Sequence, residues 1–365
     1  MKNVWMISRV FPPDEGGVQT YSRAVALAYA RLGWNVLVFT KTSAGPRRID
    51  DQGLDIVDVG GGSKAHVYLK LALAVLRALR SGQRPDVVHA CTWRSGLVPW
   101  LLRLRPLSVS VHGREIGRPR GLNFMLMRAV LTRATRVIAV SHWTRRHLLA
   151  RLPQLEANCF TAWNGLSDLA AASAPSQAHD ESGAEARVLS VCRLVPRKNL
   201  RVAIAAAGRC AQRGLKFRYL IAGRGPEMAA MQADIDALNL GGLIQMLGYV
   251  SDDELAQLHA DADIFLHPQI SLEDGDEMEG FGITIADAMA FGSACIVGVD
   301  GGPAELGVSG ETSLLVDGHD LDAVTEALAT LIGDAPRRAR MGKAAKAWAL
   351  SKLSWEQHAR AVLGA

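Results

Sequence analysis

Long apolar runs are missing from this sequence. In 365 residues no stretch approaches the ~18 apolar residues that a membrane-spanning helix needs. The opening Met-Lys-Asn leads into a short apolar stretch that soon meets Arg9 and Pro12-Pro13, too short for the core of a secretory signal. Cysteine is sparse. Cys91, Cys159, Cys192, Cys210 and Cys295 are scattered and odd in number, which excludes a disulfide framework, a zinc-ligand pair and a redox pair. A reducing cytoplasm is the expected location. No cluster with metal-ligand spacing is visible, and no tandem repeat or heptad array. The three-glycine dinucleotide fingerprint is absent, which counts against a nicotinamide dehydrogenase. With 49% hydrophobic and 21% charged residues, disorder and collagen-like structure are excluded too.

What is present is an ordinary globular composition, long enough for two domains of about 100 to 200 residues. Its charge is uneven. Residues 1–170 hold 24 Lys and Arg against 10 Asp and Glu, whereas residues 171–365 hold 17 against 26. The basic half would attract phosphates or an anionic lipid surface, or is simply a solvated basic surface. No nucleic-acid-binding signature accompanies it.

The first half alternates β-branched runs with helical patterns, as βαβ units feeding a parallel sheet do. Strands are expected at 4–8, 35–40, 86–90, 107–111 and 136–140. Val18, Tyr21, Val25, Ala28 and Leu32 recur at steps of three and four and predict a helix that Gly33 ends. From 167 to 186 there is little beyond small and polar residues, which reads as a linker. Beyond it strands are expected at 187–192, 217–222, 243–247, 263–267, 294–298 and 313–316. A final helical segment over 335–365 breaks near 351–354.

Ligands of such sheets collect at strand C-termini, and five loops there carry candidate chemistry. Gly16-Gly17 allows close backbone approach to a phosphate or second substrate, or makes a plain tight turn. His112-Gly113 offers a side chain for a phosphate or sugar hydroxyl, or a structural histidine. Ser141 reads as a helix N-cap. Arg193 and Lys198 suit a diphosphate, with a planar fork and a compact charge, or form a solvated basic turn. The fifth, Glu279 to Ala290, joins an acidic loop to a helix starting near Gly282, so the N–H groups of Phe281, Gly282 and Ile283 would face anionic oxygens. Asp287 lies more than a turn deeper than Glu279, so the two acids would meet different parts of one ligand. Gly301-Gly302 adds a backbone-exposing turn.

Together with Asn164-Gly165 and Gly223-Arg-Gly-Pro-Glu227, these pieces in this order resemble family 4 of the retaining glycosyltransferases, over nearly the whole chain. The resemblance implies the α/β GT-B architecture, two Rossmann-like domains with a deep interdomain cleft. It divides the chain into an acceptor domain (1–166), a linker (167–186), a donor domain (187–345) and a last helix (346–365) that crosses back. Arg193 and Lys198 match the pair that neutralises the donor diphosphate, His112 the histidine near the transferred sugar, and Glu279 the acid that orients its hydroxyls. Gly16 and Gly17 match the loop over donor phosphate and acceptor, with Gln19 and Asn164 as acceptor-side candidates. Asp287 stands where the family usually has a Glu for the ribose, a departure that bears on nucleotide affinity.

The implied reaction moves a sugar from a GDP- or UDP-linked donor to a hydroxyl of a glycan or lipid-linked acceptor, in cell-surface polysaccharide or glycolipid biosynthesis. Configuration would be retained, the departing phosphate would take the acceptor proton, and neither metal nor cofactor is expected. Closure about 164–186 would exclude water. The arginines of the basic half, from Arg94 to Arg136, interleaved with Trp93, Trp100, Phe124 and Met127, would hold the protein on the inner face of a membrane. The alternatives are a non-catalytic sugar-nucleotide-binding subunit, a sugar-nucleotide epimerase, and a phosphorylase.

Overall fold

The structure, a computed structural model, describes residues 1–14, 16–172, 185–272 and 277–364. The chain divides into two compact units, one of Met1–Gly165 with Ser354–Ala365 and one of Leu166–Leu353. In the first, eight strands form one sheet: β1 (Asn3–Ile7), β2 (Asn35–Thr40), β3 (Arg47–Asp51), β4 (Leu54–Asp58), β5 (Val87–Ala90), β6 (Leu107–Val111), β7 (Arg136–Ala139) and β8 (Cys159–Thr161). Their order is β3-β4-β2-β1-β5-β6-β7-β8, parallel except for the β3–β4 hairpin. The second unit holds β9 (Ala186–Val191), β10 (Phe217–Ala222), β11 (Ile244–Gly248), β12 (Ile264–His267), β13 (Ala294–Gly298) and β14 (Ser313–Val316). Its order, β11-β10-β9-β12-β13-β14, is parallel throughout.

These strands are apolar almost without alternation because helices cover both faces of a parallel sheet. In β1, Trp5 and Ile7 join one core with the helices Lys64–Arg80, Leu97–Leu101, Gly121–Arg133 and His142–Arg151. The alternate residues Val4 and Met6 are equally buried and belong to the opposite face. On that side the helix Gly17–Arg31 packs against Trp355–Leu363. Both sheets change direction once, between β1 and β5 and between β9 and β12, and such switch points are where ligands bind.

The linker expectation is partly corrected. Asp168–Ala172 is helical and packs on the helix Ile283–Phe291 within the second unit, while 173–184 lie outside the described residues. The final helical segment does break, but Ala335–Lys352 stays with the second unit, and only Trp355–Leu363 belongs to the first. Gly165 is where the returning chain passes: a Cβ there would lie 2.4 Å from the Trp355 nitrogen.

Candidate active site

In the second unit the sequence candidates gather at the switch point. Cys192 directly follows β9, and the loop it opens carries Arg193 outward and exposed before a short 3-10 turn, Pro196–Lys198, brings Lys198 into the interior at 7% exposure. Gly223 and Gly225, just past β10, brace this loop. A Cβ on Gly223 would overlap the Cys192 carbonyl oxygen at 1.8 Å and one on Gly225 the Leu194 carbonyl oxygen at 2.1 Å, both far inside van der Waals contact. Leu194 and Arg224, and Glu227 and Leu194, are also joined by backbone hydrogen bonds.

Lys198 Nζ forms an ion pair with Glu279 Oε2 at 2.7 Å and lies 3.4 Å from His267 Nε2. Arg197 Nε stands 3.6 Å from the same carboxylate oxygen. Burial alone would raise the Glu279 pKa, but Lys198 and Arg197 outweigh it and hold the carboxyl down at about 2. His267, fully buried at the end of β12, is pushed down to about 3 by burial and by Lys198. An ammonium has three N–H groups. With two directed at Glu279 and neutral His267, Lys198 retains one for a ligand oxygen. The Arg193 guanidinium pairs with none of the described residues. Sequence reading gave Arg197 and His267 no role. Their signal was position, one beside Lys198 and the other at the C-terminus of the strand next to β9.

Glu279 is followed by buried Phe281 and by Gly282, which at φ 89° starts the helix Ile283–Phe291 with no side-chain cap. The expected backbone-exposing turn at Gly301-Gly302 is instead occupied, since the Gly302 N–H donates to the Glu279 carbonyl. Asp287 departs further from expectation. It is 7% exposed, and its Oδ1 accepts from the Ser167 N–H at 2.9 Å. Burial raises its pKa to about 7, against the lowering effect of that hydrogen bond. Its carboxyl is engaged with the chain that leaves the first unit. Cys192 is no nucleophile, because burial pushes its thiol up to about 11.

The remaining candidates lie in the first unit. His112 follows β6, and its Nε2 donates to the Cys91 carbonyl at 2.7 Å, just past β5. The carbonyl fixes the tautomer and leaves Nδ1 as a hydrogen-bond acceptor. The His112 N–H donates to Glu115. Gly16, at φ 140°, caps the helix that Gly17 begins, and the Gln19 amide folds back over it. Asn164, an acceptor-side candidate, is only 3% exposed, and its Oδ1 pairs with none of the described residues, so its place is in the packed stretch before Gly165. Ser141 is the N-cap it was expected to be, accepting from the Thr144 N–H. Among the described residues no group of three His, Cys, Asp or Glu could hold a metal ion, and no helix is long and apolar enough to cross a membrane.

Two family models match the chain: "Glycosyl transferase 4-like domain" over residues 16–157 and "Glycosyl transferases group 1" over 174–348. The GDP-mannose-dependent alpha-(1-6)-phosphatidylinositol monomannoside mannosyltransferase of Mycolicibacterium smegmatis is 27% identical over 368 residues, spanning 96% of this chain and 94% of that protein. Among solved structures, the sucrose-phosphate synthase of Thermosynechococcus elongatus superposes with a TM-score of 0.82 at 21% identity, over 98% of this chain and 96% of that one. Anabaena Alr3699/HepE in complex with UDP-glucose gives 0.75 at 18% identity over the full length of both. At such identities the structures establish the fold alone, which is GT-B. Sequence motifs, sheet order and both domain matches agree, and the chain belongs to the group 1, family 4 glycosyltransferases, which use a nucleotide sugar.

Proposed function

We propose that the protein is a retaining glycosyltransferase whose second unit holds the donor and whose first unit receives the acceptor. The observation that carries this reading is the Lys198 ammonium, held between Glu279 and His267 with one N–H to spare beside exposed Arg193. A departing diphosphate gains negative charge, and preorganised cations together with the uncapped start of the Ile283 helix stabilise it. Glu279, held at about pKa 2 by two cations, is a poor proton acceptor and acts as a positioning residue. The bond from the anomeric carbon to the phosphate oxygen breaks as that carbon bonds the acceptor oxygen on the same face. The acceptor proton passes to the leaving phosphate. His112 Nδ1 addresses a hydroxyl of the transferred sugar, and Gly16, Gly17 and Gln19 border it. The reading includes no metal and no cofactor.

GDP-mannose is the first donor to test, on the strength of the M. smegmatis relative, followed by UDP-linked sugars. The experiment offers each donor with phosphatidylinositol-based glycolipids and polysaccharide fragments, and follows diphosphate release and anomeric NMR of the product. An α-linked product from an α-linked donor is expected. An inverted linkage rejects retention, an isomerised donor without acceptor marks an epimerase, and binding without turnover marks a non-catalytic subunit.

A second reading concerns where the acceptor is met. The helices Lys64–Arg80, Leu97–Leu101 and Gly121–Arg133 share one face of the first sheet. They expose Leu69, Leu73, Leu101, Leu122 and Met125, with exposed Arg77, Arg80 and Arg128 on the same helices. Trp93 and Met127, expected to contribute, lie in the core instead. Apolar side chains among arginines suit the headgroup region of an anionic bilayer, and a lipid-linked acceptor would be presented there.

A further inference from the structure

The last helix enters the first unit through a buried chain of polar side chains whose protons can be placed one by one. His358 Nδ1 lies 3.1 Å from both the Ala162 and the Trp163 carbonyl oxygens. Carbonyls only accept, so Nδ1 carries the hydrogen and Nε2 is an acceptor. The Tyr21 hydroxyl, 2.8 Å from that Nε2, therefore donates to it. Its oxygen then accepts from Ser110 Oγ at 2.7 Å, Ser110 accepts from His89 Nε2 at 2.9 Å, and His89 Nδ1 accepts from the Tyr29 hydroxyl at 3.0 Å. Every donor points the same way and every group is neutral. Burial supports that state by driving both tyrosines up and both histidines down.

Tyr21 is held at its hydroxyl by this network and on its ring by Trp355, 5.6 Å away and edge-on. The same ring meets His112 edge to face, with centroids 4.5 Å apart at 79°. His112 is anchored at Nε2 by the Cys91 carbonyl, so the freedom left to it is a tilt about that bond. Apolar side chains would hold the helix to the sheet equally well, but would not fix the orientation of one aromatic ring.

We propose that the C-terminal helix, through His358 and Tyr21, fixes the tilt of the His112 ring and so aims its Nδ1, making Tyr21 and His358 positioning residues for sugar transfer. This rests on the part given to His112 under the glycosyltransferase reading.

The test uses the full chain with Tyr21→Phe, which keeps the ring, with His358→Leu, which removes the acceptor, and with His358→Gln, which keeps one. Transfer kinetics are measured for each alone and with His112→Ala. Tyr21→Phe and His358→Leu are expected to lower kcat about tenfold with donor KM changed less than about twofold, and His358→Gln to restore most of the rate. In the His112→Ala background both losses should shrink to under about twofold, because coupled residues are not additive. Equal losses with and without His112 would overturn the proposal and leave a merely structural network. Should a variant fold poorly, 15N NMR of the His112 ring in Tyr21→Phe and His358→Gln gives a second readout, one that needs no substrate. A ring spectrum identical to the parent's in Tyr21→Phe rejects the positioning even if transfer is confirmed. A changed spectrum sustains the positioning of the ring even if no donor is turned over, in which case it is the part given to His112 in transfer that fails.

Discussion

Lys198 and Glu279 come from loops 81 positions apart and meet at 2.7 Å, with only 8% and 19% of their side chains exposed. The pair presets the charge at the end of β9. Glu279 holds the ammonium in place, and the two cations hold Glu279 ionised, so under the proposed reaction neither group would have to reorganise as the diphosphate departs.

Arg193 and Lys198 should therefore fail differently. Arg193→Ala removes an exposed cation, so stability should stay within about 0.5 kcal/mol while transfer falls by about a hundredfold or more. Lys198→Ala should lose transfer as fully and also destabilise the fold by up to about 3 kcal/mol, since it strands a mostly buried carboxylate. Urea unfolding beside a transfer assay distinguishes the two. Near-parental turnover in either variant removes that residue from the mechanism.

Glu279→Gln keeps the shape and takes away the charge that holds Lys198. Donor affinity, read by calorimetry, should stay the same or tighten, because a carboxylate no longer competes with phosphate for the ammonium. The rate should fall by about tenfold or more through lost positioning. If donor binding is lost while kcat for residual turnover is unchanged, Glu279 belongs to ground-state binding alone.

The strands of both sheets were legible because buried parallel strands are continuous apolar runs, and all eleven expected ones lie within one or two residues of their places. The β3–β4 hairpin and the three-residue edge strand β8 were not. Arg47-Arg-Ile-Asp-Asp51 presents charges along an edge strand whose side chains are largely exposed, and its one signal is the tight turn at Gln52 and Gly53, both at positive φ. The site was legible where chemistry and loop position coincide, as at Lys198, Glu279 and His112. Arg197 and His267 were given no role because, apart from their positions, the long-range contacts of Arg197 with Glu279 and of His267 with Lys198 leave no local pattern. The contact of Asp287 was not legible for a related reason, since its partner is the backbone of Ser167, 120 positions away.

Asp287 carries a pH signature. Its pKa is 3.8 as a free side chain and about 7 when folded, so the folded state holds its proton more tightly. Its favourable contribution is complete below pH 3.8 and is lost as pH rises through 7. Asp287→Asn keeps an acceptor for Ser167 without the charge, so it should unfold at higher temperature than the parent at pH 8 and match it near pH 4. A constant difference between the two pH values would remove the assignment. If Asp287 nevertheless binds the ribose, the same variant should weaken nucleotide affinity, which the engagement with Ser167 argues against.

His259 gives the opposite sign. It is 2% exposed, stacked between Phe265 and Phe291 with centroids at 5.7 and 5.4 Å, and its Nδ1 pairs with none of the described residues. Burial lowers its pKa from 6.5 to about 4. The unfolded chain thus binds a proton first, and stability that is complete above pH 6.5 is lost as pH falls towards 4. His358 and His267 titrate in the same direction, and Asp287 opposes them over part of this range. Replacing one contributor isolates it: His259→Leu, similar in volume, should flatten the acid limb of a melting-temperature profile between pH 6.5 and 4 without moving the curve downward at pH 8. An unchanged slope would mean that the ring between the two phenylalanines takes up its proton in the folded protein as readily as in water.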